Sequence, residues 1–465
     1  MAGVIVSDSI EAGIEIDCLI IGAGAAGLTA ALAASESGES VLVAERDPKL
    51  SGSTALSSGL VPAAGTKAQA AQSISDSEEV FFGDIMAKNK NSADPDYVRT
   101  IVAQIPKTLD WLADSHGIPF HVLDDFLYPS HSHHRMHAVP EVTGQGLITR
   151  LEQAVLATDT MIVTGARITD LFLSKGGDVI GASCQRPDGA IEAIAARRTI
   201  LACNGYGGNP NLVARYIPEM KDALYFGHPG NQGEAILWGE KIGAVPTHLS
   251  GYQGHGSVAH PHGILVTWAL MMEGGIQVNL EGRRFSNEHQ GYSEQAVAVL
   301  AQSEQTAFNI FDGRLQQLGR KFEDFRNAEE NGAVIVADSP AELAMRIGIE
   351  SDALKKTLDE AVLLAESGKP DGFGRQFSED TLLRAPYCAV RVTGALFHTQ
   401  GGLLVDKHAR VKRVDGSVFD SLFSCGGAAC GVSGPEVSGY LSGNGLLTAL
   451  ALGHLAGGCA GQEGA

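Results

Sequence analysis

From Asp17 the apolar residues of D-C-L-I-I-G-A-G-A-A-G run on without alternation, which predicts a strand buried on both faces and then a turn. Apolar positions recur at helical spacing as far as Ser37, and a second apolar strand covers Ser40 to Ala44, so the opening segment predicts a βαβ unit. Helical spacing returns over Tyr97 to Ser115 and Leu147 to Thr158. Met161 to Ile194 alternates between Gly-Gly and Pro-Asp-Gly breaks, as a small antiparallel meander does, and Arg198 to Cys203 reads as a further buried strand. From about Gly251 the texture changes to loops rich in Gly and His, followed by helical stretches at Pro340 to Ile347 and Ala353 to Glu366. Short strands reappear in T-Q-G-G-L-L-V-D and S-L-F-S-C-G-G, and a helix from about Gly445 closes the pattern. The prediction is an α/β fold: one domain from residues 1–250 and 398–465, and an inserted α+β cap over 251–397.

Composition narrows the class. A chain of 465 residues is too long for one ordinary core, and 57 glycines with 44% apolar and 6% aromatic residues suit an α/β enzyme with many tight turns. A net charge of -20 argues against nucleic acid and against anionic lipid. The seven cysteines are scattered, with no C-x-x-C, so reduced thiols and a cytoplasmic location are expected. Met1 to Asp17 is acidic and has no basic region, unlike a signal peptide. Leu446 to Ala460 is apolar but short, rich in Gly and Ala and interrupted by His454, so it predicts a buried helix and no transmembrane segment.

Gly22, Gly24 and Gly27 form G-x-G-x-x-G between strand and helix, with Ala25 and Ala26 in the turn. Glu45 ends the next strand, followed by Arg46. The first glycine permits the turn, the second lets the backbone reach a pyrophosphate, the third lets helix and strand pack closely, and Glu45 can accept from ribose hydroxyls. Leu50 to Gly59, L-S-G-S-T-A-L-S-S-G, offers small residues, among them Ser53, Thr54, Ser58 and Gly59, beside a cofactor ring. With T-I-L-A-C-N-G-Y-G-G, which contains Asn204 and Gly205, and the closing S-G-N-G-L-L, the chain resembles the fumarate reductase and succinate dehydrogenase flavoprotein superfamily from Asp17 to the last helix. That resemblance implies a Rossmann-like FAD-binding domain of the glutathione-reductase type. It also implies that Gly443, Asn444, Leu446 and Leu447 bring a helix N-terminus to the flavin. Respiratory members attach FAD through a histidine in the segment matching Ser51 to Ser57; none occurs there, so non-covalent FAD is expected.

The pocket motifs depart from fumarate reduction. Where fumarate reductases carry the proton-donating arginine of N-E-x-x-x-R, this chain has Tyr292. Their T-E-A-x-R becomes T-W-A-L-M, placing Trp268 and Met271 at the Glu and Arg of the proton relay, and their R-L-G-G-N becomes Y-L-S-G-N, beginning at Tyr440. A phenol cannot replace an arginine that clamps a carboxylate bidentately. The pattern R-R-F-S-N-E with Tyr292, and Tyr440 before the glycines, is similar to the 3-ketosteroid dehydrogenases. The order of Tyr440 and Ser442 resembles the Δ4-(5α) branch. The resemblance implies desaturation next to the carbonyl of a cyclic ketone, a 3-ketosteroid or a smaller ring such as an oxocyclohexane carboxylate. Hydride passes to flavin N5 and the α proton to Tyr292, as phenolate or with a lowered pKa, while Tyr440 with the backbone of Gly445 or Asn444, and Ser442, holds the developing enolate oxygen. His255 and His398 match substrate-contacting positions and can bond a substrate oxygen or support loops.

Tyr128 to His137, Y-P-S-H-S-H-H-R-M-H, resembles the H-S-H-R stretch of L-aspartate oxidases. His131, His133, His134 and Arg135 are candidates for a substrate carboxylate, Tyr128 for a third pocket tyrosine, and no carboxylate or cysteine is spaced to complete a metal site. Two alternatives stay open: a fumarate-reductase-like enoate reductase or amino-acid oxidase, and a flavoprotein subunit that passes electrons without its own substrate. The electron acceptor, whether oxygen, a quinone or a carrier, is not identified by any motif.

Overall fold

In the computed structural model, which describes residues 2–459, Ile14–Ile21 is the central parallel strand of the larger sheet. It pairs in parallel with Val41–Ala44, which pairs in parallel with Met161–Val163. The helix Ala25–Glu36 links the first two as the predicted βαβ crossover. Continuous apolar sequence suits these strands because both faces are covered: Cys18, Leu19 and Ile20 have no exposed surface.

The meander and the strand expected after it are one element. Ile191–Leu201 pairs antiparallel with Val179–Gln185 through its first half and parallel with Ile14–Ile21 along most of its length. Its last residues, Thr199 to Leu201, also pair with Leu422 to Ser424. Met161–Val163 belongs to the parallel part of the sheet, not to the meander. A strand not foreseen in the acidic opening segment, Gly3–Val6, adds to Arg167–Leu173 at the sheet edge. Met1 and Ala460 to Ala465, and so the outermost limits of the expected first domain and the end of the expected last helix, lie outside the described residues.

The final helix, Asn444–Gly458, packs along Ala25–Glu36. Its small residues are required by the close approach: a Cβ on Gly453 would stand 2.5 Å from the Ala26 carbonyl oxygen. Arg198, buried in the long strand, donates from Nη1 to Ala456 O (2.6 Å) and from Nη2 to Gly457 O (2.9 Å), satisfying carbonyls at the end of that helix. No helix among the described residues is long and apolar enough to cross a membrane.

A second sheet, seven-stranded among the described residues, draws its strands from Leu224 to Thr399. Its long strand Tyr387–Thr399 pairs with Tyr252–Ala259 on one side and Thr306–Asp312 on the other. The helix Tyr292–Leu300 lies on this sheet, fixed at its start by Gly254 N–H donating to Ser293 Oγ (2.8 Å, buried). The fold is therefore mixed α/β, a parallel-sheet dinucleotide domain with a cap.

Candidate active site

A cleft opens where the first strand and the following helix meet. Gly22 takes φ +107°, and a Cβ there would lie 2.6 Å from Ala202 O, so the turn accepts no side chain. On Gly27 a Cβ would come within 1.9 Å of Gly22 O, which makes this glycine a packing residue behind the cleft. The helix Ala25–Glu36 has Gly24 as N-cap, with no capping side chain and no acid in its first turn. Its leading N–H groups and positive dipole end suit a diphosphate. Ala25 N–H reaches Thr54 Oγ1 at 3.2 Å, and a Cβ on Gly24 would meet nothing nearer than that hydroxyl, at 3.7 Å. Glu45 is buried with one carboxylate oxygen on Ala23 N–H (2.9 Å) and the other on Asp47 N–H (3.0 Å), each keeping lone pairs for ribose hydroxyls. Arg46 donates to Gly230 O (2.7 Å) and pairs with Glu234 (2.5 Å), closing the cleft's outer wall. Ser53 accepts from Asn231 Nδ2 at 2.8 Å. Ala26, Asn204 and Leu446 complete the lining named from sequence. These residues fit an FAD: bare helix N–H groups for its diphosphate, an acid for its ribose, and small residues along its path.

The cleft adjoins a second cavity beneath the cap, sharing Ser53, His398, Gly445 and Leu446 with it. Here stand Tyr292, Tyr440, Ser442, Tyr128, His255 and Trp268, brought together from five separate segments. The Tyr292 ring stacks on His255 (centroids 4.7 Å apart), and the Tyr440 ring meets it edge-on at 6.1 Å. Burial pushes the Tyr292 phenol up to about 12, against the pull of the Ser442 and Tyr440 hydroxyls, which favour the phenolate by hydrogen bonding. The lowered pKa expected from sequence is thus corrected: the resting phenol is protonated. Tyr440 is raised further, by burial first and then by the charge that Tyr292 would carry, with Gly443 N–H opposing. Of the pair, Tyr292 is the more easily ionised.

Both pocket histidines are neutral. Burial lowers His255 to about 3 and His398 to about 4. His255 Nδ1 accepts from Ser257 N–H (3.2 Å), which leaves Nε2 as its N–H; His398 Nδ1 stands 3.1 Å from Gln400 Nε2 and 3.3 Å from the Thr399 carbonyl oxygen. Trp268 is buried, lines the cavity, and its Nε1–H has no acceptor among the described residues, a donor left for a bound molecule.

The N-terminus of the last helix reaches both cavities. Asn444 N–H is taken by Leu441 O and Leu447 N–H by Gly443 O. Gly445 and Leu446 N–H have no acceptor among the described residues. The Ser442 carbonyl, which would otherwise serve Leu446, accepts from His131 Nε2 at 3.0 Å. His131 therefore shapes this terminus from behind.

Other expected residues lie elsewhere. Arg135 has no exposed surface; its guanidinium is taken up by Asp76 (2.9 Å) and Asp84 (2.7 Å), so it offers nothing to a substrate carboxylate. His134 falls outside both cavities, with its backbone carbonyl held by Gln69. Met271 is fully buried against Gly275, and its neighbour Met272 faces the cavity in its place. Asn444 is turned into the protein, Nδ2 donating to Ser433 Oγ (2.9 Å), and Leu447 is in the core. Gly59 and Gly205 are packing positions, where a Cβ would stand 2.6 Å from Thr143 and 2.0 Å from Thr399 Oγ1. Ser58 and Gly443 border the second cavity, not the cofactor cleft. Sequence reasoning missed Gln253, Phe226, Phe397 and Asp324, all of which line this cavity. Gln253 had a signal: it precedes His255 by one strand period, and so shares its face.

No lysine or arginine lines the cavity among the described residues. No group of His, Cys, Asp and Glu that could hold a metal occurs among the described residues.

Known proteins place this architecture. The chain is 28% identical over 444 residues to the fumarate reductase (cytochrome) of Shewanella frigidimarina, covering 95% of this chain and 76% of that one. It is 26% identical to the urocanate reductase of Eggerthella lenta, covering 89% of this chain and 69% of the other. Among solved structures, the open conformation of a flavocytochrome c3 fumarate reductase superposes with a TM-score of 0.80 at 27% identity, covering 96% of this chain and 78% of that chain. The 3-ketosteroid-Δ4-(5α)-dehydrogenase of Rhodococcus jostii RHA1 shares the fold, with a TM-score of 0.77 at 23% identity over 97% of this chain and 98% of that one. The family model described as an FAD binding domain matches residues 17–446, and the chain belongs to that family as an FAD-binding oxidoreductase of the fumarate reductase superfamily.

Proposed function

We propose that the protein desaturates a ring ketone at the carbons α and β to its carbonyl. The observation that carries this reading is Tyr292 edge-on to Tyr440, with Ser442 in the same cavity, where no cationic side chain lines the wall among the described residues. A fumarate-type dicarboxylate requires compensating positive charge when buried, and no cationic side chain lines this cavity among the described residues. Bound FAD supplies the two-electron acceptor for the hydrogen leaving the β carbon.

The chain's own residues manage the proton and the oxygen. Tyr292, once its own proton has passed to solvent, receives the α proton as the phenolate. Tyr440 O–H and Gly445 N–H bond the carbonyl oxygen as charge builds on it, which makes the α C–H acidic enough for the Tyr292 phenolate to act on. Phe226, Phe397 and Trp268 wall the cavity with aromatic surface, which suits a ring and excludes water. Ser442 stabilises the ionised form of Tyr292. Ser442→Ala is expected to raise the Tyr292 pKa and slow desaturation about tenfold, the worth of roughly one charge-assisted hydrogen bond. Rates measured against pH in variant and parent check this; unchanged profiles remove Ser442 from the role.

The test of the reading is anaerobic reduction of the purified yellow protein. The flavin absorbance is expected to bleach with a ring ketone and to stay unchanged with succinate or aspartate. Absence of bleaching across a panel from cyclohexanones to 3-ketosteroids would overturn it. FAD is held without a covalent bond in this reading, so denaturation should release it into the supernatant.

A further inference from the structure

The cavity's one ionised side chain is an acid at its mouth. Asp324 lies in the first turn of the helix Glu323–Glu330 and borders the same cavity as Tyr292. Its neighbour Phe322 meets Phe126 edge-on, centroids 6.1 Å apart, across the seam between the cap and the first domain. Asp324 is both exposed to solvent and part of the cavity lining, which puts it where the cavity meets solvent.

No cation neutralises it. Lys321 pairs with Asp125 (2.8 Å), Arg320 pairs with Glu329 (2.8 Å), and Arg326 Nη1 donates to Arg320 O (2.7 Å). Asp324 has neither an ion pair nor a hydrogen bond among the described residues. Desolvation by the surrounding protein, and then Glu323 beside it, raises its pKa although the residue stays exposed to solvent. Deeper in, the cavity presents only neutral groups: phenols, neutral imidazoles, the Trp268 N–H and the amide of Gln253. An entering carboxylate meets an acid without an ion pair and finds no cationic side chain beyond it, only the N–H groups of Gly445 and Leu446 at the last helix's N-terminus.

We propose that the substrate is an uncharged ring ketone and that Asp324 excludes ketones carrying a carboxylate. This rests on the ketone reading above and narrows it. Of the two substrate types that the motifs allow, it favours the neutral polycyclic or alkyl-substituted ketone over an oxocyclohexane carboxylate.

The experiment compares 4-methylcyclohexanone with 4-oxocyclohexanecarboxylate in the FAD-loaded parent, Asp324→Asn and Asp324→Lys. Two readouts are taken, kcat/KM with an artificial electron acceptor and Kd from the perturbation of flavin absorbance. The parent is expected to prefer the neutral ketone. Asp324→Asn should shift the ratio about threefold toward the carboxylate, Asp324→Lys should shift it further, and both shifts should shrink as salt is raised. Because Asp324 is exposed, both variants are expected to fold, and retained flavin absorbance verifies it. A ratio that is the same in all three proteins, or a parent that prefers the carboxylate, overturns the role of Asp324 while leaving the ketone reading in place. Absence of turnover and of spectral change with either ketone in any of the proteins overturns the ketone reading, and this inference with it.

Discussion

Tyr292→Phe is expected to lower ring-ketone desaturation about a thousandfold while the protein keeps its FAD, the magnitude usual for losing a positioned acid or base. The change removes one oxygen and little else. The ring remains stacked on His255 at 4.7 Å and near Trp268 at 6.3 Å, and Tyr292 does not line the cofactor cleft. The pH profile tests the same oxygen independently. With its pKa pushed up to about 12 by burial, Tyr292 is a protonated phenol at neutral pH. To take a proton from carbon it must first give up its own, so the desaturation rate should climb about tenfold per pH unit below that value. In the reverse direction, reduction of the enone, the phenol already carries the proton it donates, and the rate should be flat through neutrality. Single-turnover flavin reduction and reoxidation, each followed from pH 6 to 10, separate the two directions. Full activity in the Phe variant, or the same pH dependence in both directions, takes Tyr292 out of the proton transfer.

The cofactor half of the site was legible because its determinants are local. G-A-G-A-A-G turns between a strand and the helix it begins, and Glu45 closes the next strand, so one short stretch holds the turn, the helix N-terminus and the acid. The cap half was legible only where a motif marked a position. Tyr292 and Tyr440 could be paired by their motifs, but their meeting beside Ser442 depends on tertiary packing. Arg135 looked like a carboxylate ligand because Asp76 and Asp84 are far from it in sequence, and only the fold brings them to its guanidinium. Asp324 left no mark, since one acid in the acidic helix E-D-F-R-N-A-E-E reads as a solvated face. Its role depends on which cavity that face borders. The long strand Ile191–Leu201 was divided in two by the same limitation: its halves have different partners, and texture changed with partner although the strand did not end.

Tyr440→Phe is expected to cost about a hundredfold in kcat, with a weaker KM for the ketone, because the hydroxyl bonds the carbonyl oxygen most strongly once that oxygen carries charge. Two effects combine. Tyr440 has one hydroxyl proton, given to Tyr292 in the free enzyme and to the carbonyl oxygen once the ketone is bound, so the variant leaves the enolate oxygen only Gly445 N–H and leaves the free-enzyme Tyr292 only one of the two hydroxyls that favour its phenolate. The second effect predicts that the rising limb of the desaturation profile moves to higher pH in this variant, a shift that a purely structural tyrosine would not produce. Ring packing should survive, since the Tyr440 ring still meets His398 at 5.6 Å and Tyr292 at 6.1 Å. Because the two phenols act on one another as well as on substrate, their removal should not be additive. The double variant is expected to be slower than Tyr292→Phe alone by clearly less than the full hundredfold, since the enolate donor is still lost but the help Tyr440 gives to ionising the base has no object. Strictly additive losses in the double-mutant cycle would mean that the two hydroxyls work independently, and the coupled phenol pair would have to be abandoned.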